Sequence, residues 1–380
     1  VDKSTIKGFL FFWGVRPPNI FTPAQVPERS DGPRIQRGKR GGPMTLDAIV
    51  YVDDQEPGIT RRKVRHGWGY WAPDGKRITD RDEIDRLNKI GLPPAYIDAW
   101  FCTDPNGHIQ AVGWDDKGRK QYRYHPGFRE AQEAAKYDRC AGFGHRLARL
   151  RERVEADLRL RGLCKQKAVA AVVRLLDLGT IRVGNEAYAQ ENKSFGATTL
   201  RKRHVKVKGQ TLKLQFRAKS GKLRVMTITD RTLSAFVKRC QDLPGQNLFR
   251  WVDEAGEAHP VTSTDVNAYI REAMNDDFTA KNFRTWGASV IAFQALATAD
   301  SYLGIKSMLE PVTEALGNTP SIARKSYVHP RLIELAKDKA AQADFRGGLR
   351  LPRATRYLTR YERGLIHFLE EDAAPQAKAA

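Results

Sequence analysis

Tyr327 closes the segment Arg324-Lys325-Ser326-Tyr327 and is followed by Val328-His329-Pro330. A tyrosine phenol ionises at a pKa of about 10, so roughly one in a thousand is a nucleophilic phenolate at neutral pH. Attack by such a group needs cations that stabilise its charge, and two basic sequence neighbours are too common to supply that by themselves. The support must come from distant parts of the chain. Candidates are Arg182 in Ile181-Arg182-Val183-Gly184-Asn185, Lys219 in Ala218-Lys219-Ser220-Gly221-Lys222, Arg284 in Phe283-Arg284-Thr285-Trp286, and Asn318 in Asn318-Thr319-Pro320. Arginine offers a planar fork of donors that stays charged, lysine a proton held at a pKa of about 10.4, and asparagine a neutral donor. With a phenol, these are the groups for attack on an anionic phosphorus centre, whose added negative charge must be met by donors already in place.

The 380 residues carry 65 Lys plus Arg against 44 Asp plus Glu, a net charge of +21. The excess is spread along the chain, which implies a large polyanion as partner: DNA, RNA or an anionic membrane. Aromatic residues interleave with basic ones in Gly67-Trp68-Gly69-Tyr70-Trp71 and Gln121-Tyr122-Arg123-Tyr124, and that favours nucleic acid over lipid. No apolar run approaches the roughly 20 residues that cross a bilayer, so no membrane span is expected. The run 8–15 ends at Arg16-Pro17-Pro18 without a small-residue cleavage site and is not read as a signal peptide. Cys102, Cys140, Cys164 and Cys240 form no Cys-x-x-Cys pair and the histidines have no ligand spacing, so neither a metal site nor a disulfide is expected and a reducing cytoplasm fits. The chain has no Gly-x-x-x-x-Gly-Lys-Ser/Thr loop, and no cofactor is expected. Asp53-Asp54 and Asp115-Asp116 read as turn or surface acids.

Such a length allows two domains with proper cores. Residues 1–43, rich in Pro, Gly and Arg, read as a disordered basic extension; either the chain starts at Met44, its first methionine, or the extension is a DNA-tethering arm. Residues 44–125 read as a small, mostly antiparallel β domain, with turns at Asp74-Gly75, Asn106-Gly107 and Lys117-Gly118, a strand at 109–114 and one short helix at 80–90. Residues 126–372 read as a larger, mostly α domain, with helical spacing over 128–161, 165–178, 185–192, 263–275 and 332–344. Leu212, Leu214 and Phe216 alternate with polar residues, and Leu223, Val225 and Thr227 alternate after them, which predicts a β-hairpin with Lys219 at its tip. Residues 373–380 read as a frayed tail. The fold class is therefore α+β.

This set of residues resembles the type IB DNA topoisomerases, in particular their bacterial and poxvirus-like branch. Beyond the segments around Arg284 and Tyr327, the resemblance is carried by Asp-Asp-Gln-Glu-Pro-Gly-Ile-Thr-Arg-Arg at 53–62, Gly-Arg-Lys-Gln-Tyr-Arg-Tyr-His-Pro at 118–126 and Ser-Phe-Gly-Ala-Thr-Thr-Leu at 194–200. It implies that Tyr327 is the nucleophile, that Arg182 and Arg284 clamp the phosphate, that Asn318 donates to a non-bridging oxygen, and that Lys219 protonates the leaving 5′ oxygen. Lys222 competes for the last role but falls after the turn glycine. It further implies a 3′-phosphotyrosyl intermediate, relaxation without ATP or metal, and a monomer closing around duplex DNA in the cytoplasm, on the nucleoid. Arg119, Gln121, Tyr122, Tyr124 and Tyr188 match family positions that face DNA, although alternation along 119–124 would turn one or two of them into the core. His329 reads as structural rather than as a base.

Two positions depart from the family pattern. Asn282 stands where aspartate is common, which removes a charge that could orient Arg284, and Asn318 stands where poxvirus enzymes use histidine. The rival readings are a tyrosine site-specific recombinase and a non-catalytic basic DNA-binding protein. Against the first, the position three before Arg284 is Lys281 where recombinases carry histidine, and residues 46–124 look β-rich rather than helical. The second leaves the spaced Arg, Lys and Tyr residues without a purpose.

Overall fold

Turn chemistry and alternation build the first part of the chain. The computed structural model describes residues 49–371, so the expected extension at 1–43 and tail at 373–380 lie outside the described residues. Strands β1 (Ile59–Val64), β2 (Gly67–Trp71), β3 (Ile97–Phe101), β4 (Ile109–Trp114) and β5 (Lys120–Tyr124) form one antiparallel sheet in the order β2-β1-β3-β4-β5. Helix α1 (Arg81–Lys89) starts where Asp80 accepts a hydrogen bond from the Asp82 amide, as its sequence led one to expect. Its Leu87 joins Ile59, Tyr70, Leu92, Ala99, Phe101 and Ala111 in a small separate core. At the β4–β5 turn, Gly118 adopts φ +66, and its amide bonds to the Asp115 carbonyl.

The chain leaves β5 through His125, which caps helix α2 (Pro126–Leu158), with proline at the first helical turn where its missing N–H costs nothing. Helix α3 (Lys165–Gly179) is the centre of the second core: Val169, Val172, Val173, Leu175 and Leu176 are all buried. Each such side chain contributes about 1.5–3 kcal/mol on burial. Around it lie α4 (Glu186–Asn192), α5 (Arg231–Gln241), α6 (Ser263–Met274), α7 (Ala280–Thr298), α8 (Ile305–Leu316), α9 (Pro320–Ser326), α10 (Pro330–Leu335), α11 (Lys339–Gly348) and α12 (Arg360–Glu370). A three-stranded antiparallel sheet, β6 (Val205–Lys208), β7 (Thr211–Arg217) and β8 (Leu223–Thr229), interrupts the helices, and a short hairpin of β9 (Arg250–Val252) and β10 (Ala258–Pro260) follows.

Two expectations need correction and a third is narrowed. The helix expected at 332–344 is two helices, because the Asp338 carboxylate accepts from the Ala340 and Ala341 amides and starts α11 afresh. Strand β8 faces the opposite way from its apolar alternation: Leu223 and Val225 are 63% and 52% exposed, whereas Arg224, Met226 and Ile228 pair with the inward Phe216, Leu214 and Leu212. Of the two readings given to Asp115, turn or surface acid, the structure has the first. Asp115 is 6% exposed and holds the turn by accepting from the Lys117 and Arg119 amides, both at 3.0 Å.

Candidate active site

The β7–β8 hairpin carries Lys219 where the alternation put it. The turn is tight: the Gly221 amide bonds to the Ala218 carbonyl, the Ala218 amide bonds to the Lys222 carbonyl, and Ser220 and Gly221 both take positive φ. Lys219 and Lys222 are exposed at this tip. Arg182 comes from the extended stretch between α3 and α4, which is fixed by an unusually close backbone approach. Arg182 and Val183 carbonyls accept from the Ala197 and Thr198 amides at 2.8 and 2.7 Å. A Cβ on Gly196 would lie 2.5 Å from the Gly184 nitrogen, so only glycine fits there.

Arg284 lies one turn into α7 and is 4% exposed. Its Nη1 donates to the Thr180 carbonyl and its Nη2 to the Leu316 carbonyl at 3.2 Å. Thr180 can come this close because Gly287, one turn further along α7, has no Cβ; one there would sit 2.7 Å from the Thr180 methyl. The departure at Asn282 does not bear on Arg284, since Asn282 accepts from the Thr279 amide at 2.9 Å and caps its own helix. The C-terminal end of α8 receives the other cations. Arg224 donates to the Glu314 and Ala315 carbonyls, and Arg182 Nη2 donates to Asn318 Oδ1 at 3.1 Å. A helix C-terminus leaves such carbonyls unpaired and carries partial negative charge, so it offsets the mutual repulsion of guanidinium groups gathered around it.

Tyr327 ends α9 with φ −132, and its amide bonds to the Ala323 carbonyl at 3.1 Å. The adjoining segment is held from behind by α2 and α7. Lys136 donates to the Ser326 carbonyl at 3.0 Å, the Tyr137 hydroxyl to the Lys325 carbonyl at 3.3 Å, and Ser289 Oγ to the Tyr327 carbonyl at 3.4 Å while accepting from the His329 amide. His329 is buried, caps α10 by accepting from the Arg331 amide, and packs edge-on against Tyr137, which fits the structural reading.

Arg182, Lys219, Arg284, Asn318 and Tyr327 all line one open cavity of about 680 Å³, together with Lys222 and Arg224, and among the described residues no Asp or Glu lines it. Burial alone raises the Tyr327 phenol, but the charge of Arg284, then that of Arg182, with polar contact from Arg284 and Asn318, bring it below its ordinary value. Burial, followed by the Arg182 charge, pushes the Arg284 guanidinium down to about 10, which keeps it charged at neutral pH. Arg284 Nε and Asn318 Nδ2 are buried without a hydrogen-bond partner. An unsatisfied buried donor costs about 1–3 kcal/mol, and both atoms belong to residues that line the cavity beside the Tyr327 phenol.

The expected DNA-facing residues lie at the end of the β4–β5 turn (Arg119), on edge strand β5 (Gln121, Tyr122, Tyr124) and on α4 (Tyr188). Tyr122 and Tyr124 are exposed and stacked at 5.9 Å, so alternation turns neither into the core. Arg119 and Gln121 are half-buried and bound to Asp115 Oδ2 at 2.9 and 3.0 Å. Tyr188 lies half-buried on α4, whose Asn192 accepts from Lys117 of the β4–β5 turn at 2.9 Å. The strand and α4 therefore meet. Sequence reasoning missed Arg224, Lys136 and Tyr137, and the hold of Asp115 on Arg119 and Gln121. Among the described residues no group of His, Cys, Asp or Glu is arranged to hold a metal ion, and no helix is long and apolar enough to cross a membrane.

Comparison with known proteins agrees along most of the chain. Residues 125–343 match the family described as eukaryotic DNA topoisomerase I, catalytic core, and residues 67–115 match bacterial DNA topoisomerase IB, N-terminal domain. The chain is 32% identical to DNA topoisomerase 1B of Acanthamoeba polyphaga mimivirus over 292 residues, 73% of this chain and 87% of that protein. It is 23% identical to DNA topoisomerase 1B of Vaccinia virus (strain Copenhagen) over 242 residues, 60% of this chain and 72% of that protein. Among solved structures, the XerH site-specific recombinase bound to difH substrate aligns at 18% identity over 50% of this chain and 52% of that one, with a TM-score of 0.33 that decides nothing between the two activities. With a sheet domain followed by a helical domain that gathers arginine, lysine and tyrosine in one cavity, this chain belongs to the type IB DNA topoisomerases.

Proposed function

We propose that this DNA topoisomerase relaxes supercoiled duplex DNA through Tyr327. The phenol loses its proton to water, and Tyr327 Oη attacks the scissile phosphorus. Arg182, Arg284 and Asn318 hold the non-bridging oxygens as charge builds on them, a term worth on the order of 10²–10³ in rate per donor. The bond from phosphorus to the 5′ oxygen breaks as Lys219 gives that oxygen its proton. The product is a 3′-phosphotyrosyl ester and a free 5′ hydroxyl, which rotates about the intact strand and then attacks the ester to restore the DNA and the phenol. One ester replaces another, so neither ATP nor a cofactor enters the balance.

The observation that carries this reading is the convergence of those five side chains on one cavity without acids, with Arg284 over the Tyr327 ring. Duplex DNA would lie between this cavity and β5, where Arg119, Gln121, Tyr122, Tyr124 and, from α4, Tyr188 face it. The unit of action is a monomer on one duplex, in the cytoplasm and on the nucleoid. Incubation with negatively supercoiled plasmid, in EDTA and without ATP, tests it. Wild type relaxes the plasmid and Tyr327→Phe does not, while still binding. Relaxation by Tyr327→Phe would remove Tyr327 from the chemistry. A recombinase would instead require paired specific sites, and a plain DNA binder would relax nothing.

A further inference from the structure

Arg224 lies in the cavity without a role in the proposed reaction. It sits on β8, two residues past Lys222 and opposite Phe216. Its flanking residues Leu223 and Val225 point outward, so Arg224 is turned in toward the helices. There its Nη1 donates to the Glu314 carbonyl at 2.8 Å and its Nη2 to the Ala315 carbonyl, on the last turn of α8. The Ala315 carbonyl also accepts from Thr180 Oγ1 at 3.0 Å, while the next carbonyl, Leu316, binds Arg284. Gly317 completes the fit: it takes φ +66, and a Cβ on it would come within 3.0 Å of Arg224 Nη1. One guanidinium thus spans two adjacent carbonyls of the turn that precedes Asn318.

Both ends of this contact carry candidate chemistry. The hairpin carries Lys219 a few residues from Arg224, and Lys219 is exposed with no hydrogen bond of its own among the described residues. On the other strand, the Arg217 carbonyl accepts from the Phe195 amide at 2.7 Å. The hairpin is therefore tethered on each strand, by the Phe195 amide on β7 and by Arg224 on β8. A lysine on a free tip would sample many positions, and a proton donor must stay within hydrogen-bond reach of the oxygen it serves.

We propose that Arg224 is a positioning residue, which fixes the Lys219 hairpin to the C-terminal turn of α8 and so sets the proton donor against the phosphate clamp. The inference rests on Lys219 as the proton donor. Loss of Arg224 should impair protonation of the leaving group more than capture of the phosphate.

A leaving-group experiment separates these effects. Two duplexes are compared in single-turnover cleavage, one with the natural 5′ oxygen at the scissile phosphate and one with sulfur in that bridging position. A thiolate leaves without a proton, so a defect in acid catalysis disappears on the sulfur duplex. Arg224→Ala is expected to slow cleavage of the oxygen duplex at least on the order of tenfold, part of the 10²–10⁴ that a general acid supplies. Its rate on the sulfur duplex should return close to wild type. Arg224→Lys, which keeps the charge but cannot span both carbonyls, should show a milder form of the same pattern. Equal slowing on both duplexes, or no slowing on either, overturns the proposal.

Lys219→Ala on the same pair tests the underlying reading separately. If sulfur fails to restore that variant, Lys219 is not the acid. The tether itself is then judged by hydrogen exchange of full-length protein: Arg224→Ala should speed exchange of the Ala218 and Gly221 amides while leaving the α3 amides protected. Unchanged exchange at the tip sinks the tether, whatever Lys219 does.

Discussion

The guanidinium carbon of Arg284 lies 4.7 Å from the centre of the Tyr327 ring. Arg284 cannot swing away, because its Nη1 and Nη2 are each anchored to a backbone carbonyl, of Thr180 and Leu316, while its Nε stays free for an acceptor. The cation nearest the phenol is thus fixed before substrate arrives, and the low-dielectric surroundings make its charge felt.

That relationship predicts a pH profile. In the proposed reaction Tyr327 attacks as the phenolate, so single-turnover cleavage should climb as pH rises through the phenol pKa, and the neighbouring cations place that climb below the ordinary tyrosine value of 10.0. Arg284→Ala removes the largest of the lowering influences. The limb should move to higher pH, and the rate at neutral pH should fall on the order of 10²–10³. A limb with the same midpoint in both proteins would separate Arg284 from the ionisation of Tyr327.

Asp115 leads to a prediction that runs against simple electrostatics. Removing an acid from a DNA-binding face should tighten binding by reducing repulsion. Here the acid holds Arg119 and Gln121 and two amides of the β4–β5 turn, so Asp115→Ala frees side chains that would otherwise be presented in fixed positions. Affinity for a duplex, measured by fluorescence anisotropy at fixed salt, should therefore fall. The domain should also lose stability through the turn bonds. Tighter binding would show that net charge outweighs pre-ordering on this strand.

The same residue marks where the sequence stops being informative. The hairpin with Lys219 at its tip was legible because alternation leads into a Ser-Gly turn, whereas Tyr327 was singled out by the family resemblance and not by its two basic neighbours. Arg284 was legible as a residue, but its helix was not. Helix α7 is buried on several faces, with Phe283, Trp286, Ala288, Ala292, Phe293 and Leu296 all inside, and such a helix shows no clean apolar stripe. Arg224 was hidden for the opposite reason. The two apolar residues beside it suggested that they faced the core and the arginine faced solvent, whereas the C-terminus of α8 provides an inward partner that no pattern within β8 reveals. Asp115 was legible as a turn acid but not as the partner of Arg119 and Gln121, and Asn282, read only as a lost charge near Arg284, caps its own helix; both contacts depend on a turn or cap closing in space.

Two glycines separate steric need from conformational need. Gly196 has an ordinary extended backbone, yet a Cβ there would lie 2.5 Å from the Gly184 nitrogen and 2.6 Å from the Arg182 carbonyl. Backbone atoms cannot rotate aside as a side chain would, so Gly196→Ala should push the Arg182 stretch outward. Gly209 has φ +59 but open space around its Cβ position. Gly209→Ala should cost about 1 kcal/mol in thermal denaturation with cleavage intact. Gly196→Ala should lower stability more and lose cleavage in addition. Equal cleavage by the two variants would mean that the position of Arg182 tolerates displacement.

His329 gives the fold a sensitivity to acid. Burial, then the nearby positive charge of Arg331, pushes its imidazole from 6.5 down to about 4, with a further contribution from Lys136. His204, buried near Arg203 and Arg201, is likewise lowered to about 4. Between these values the unfolded chain binds protons that the folded chain refuses, so stability rises with pH across that window and is lost as pH falls from about 6.5 toward 4. Below about 4 both states are protonated and this loss levels off. His329→Gln should be less stable at neutral pH, because it gives up the edge contact with Tyr137 and disturbs the cap of α10. Its denaturation midpoint should nevertheless vary less between pH 6.5 and 4 than that of wild type, with the remaining slope supplied in part by His204. Because His329 follows Tyr327 by two residues and shares Ser289 with it, the loss of cleavage in wild type at low pH should track the protonation of this buried ring as well as the shrinking fraction of phenolate. In His329→Gln the first of these contributions is gone, and a cleavage profile identical to wild type below pH 6.5 would show that protonation of His329 does not reach Tyr327.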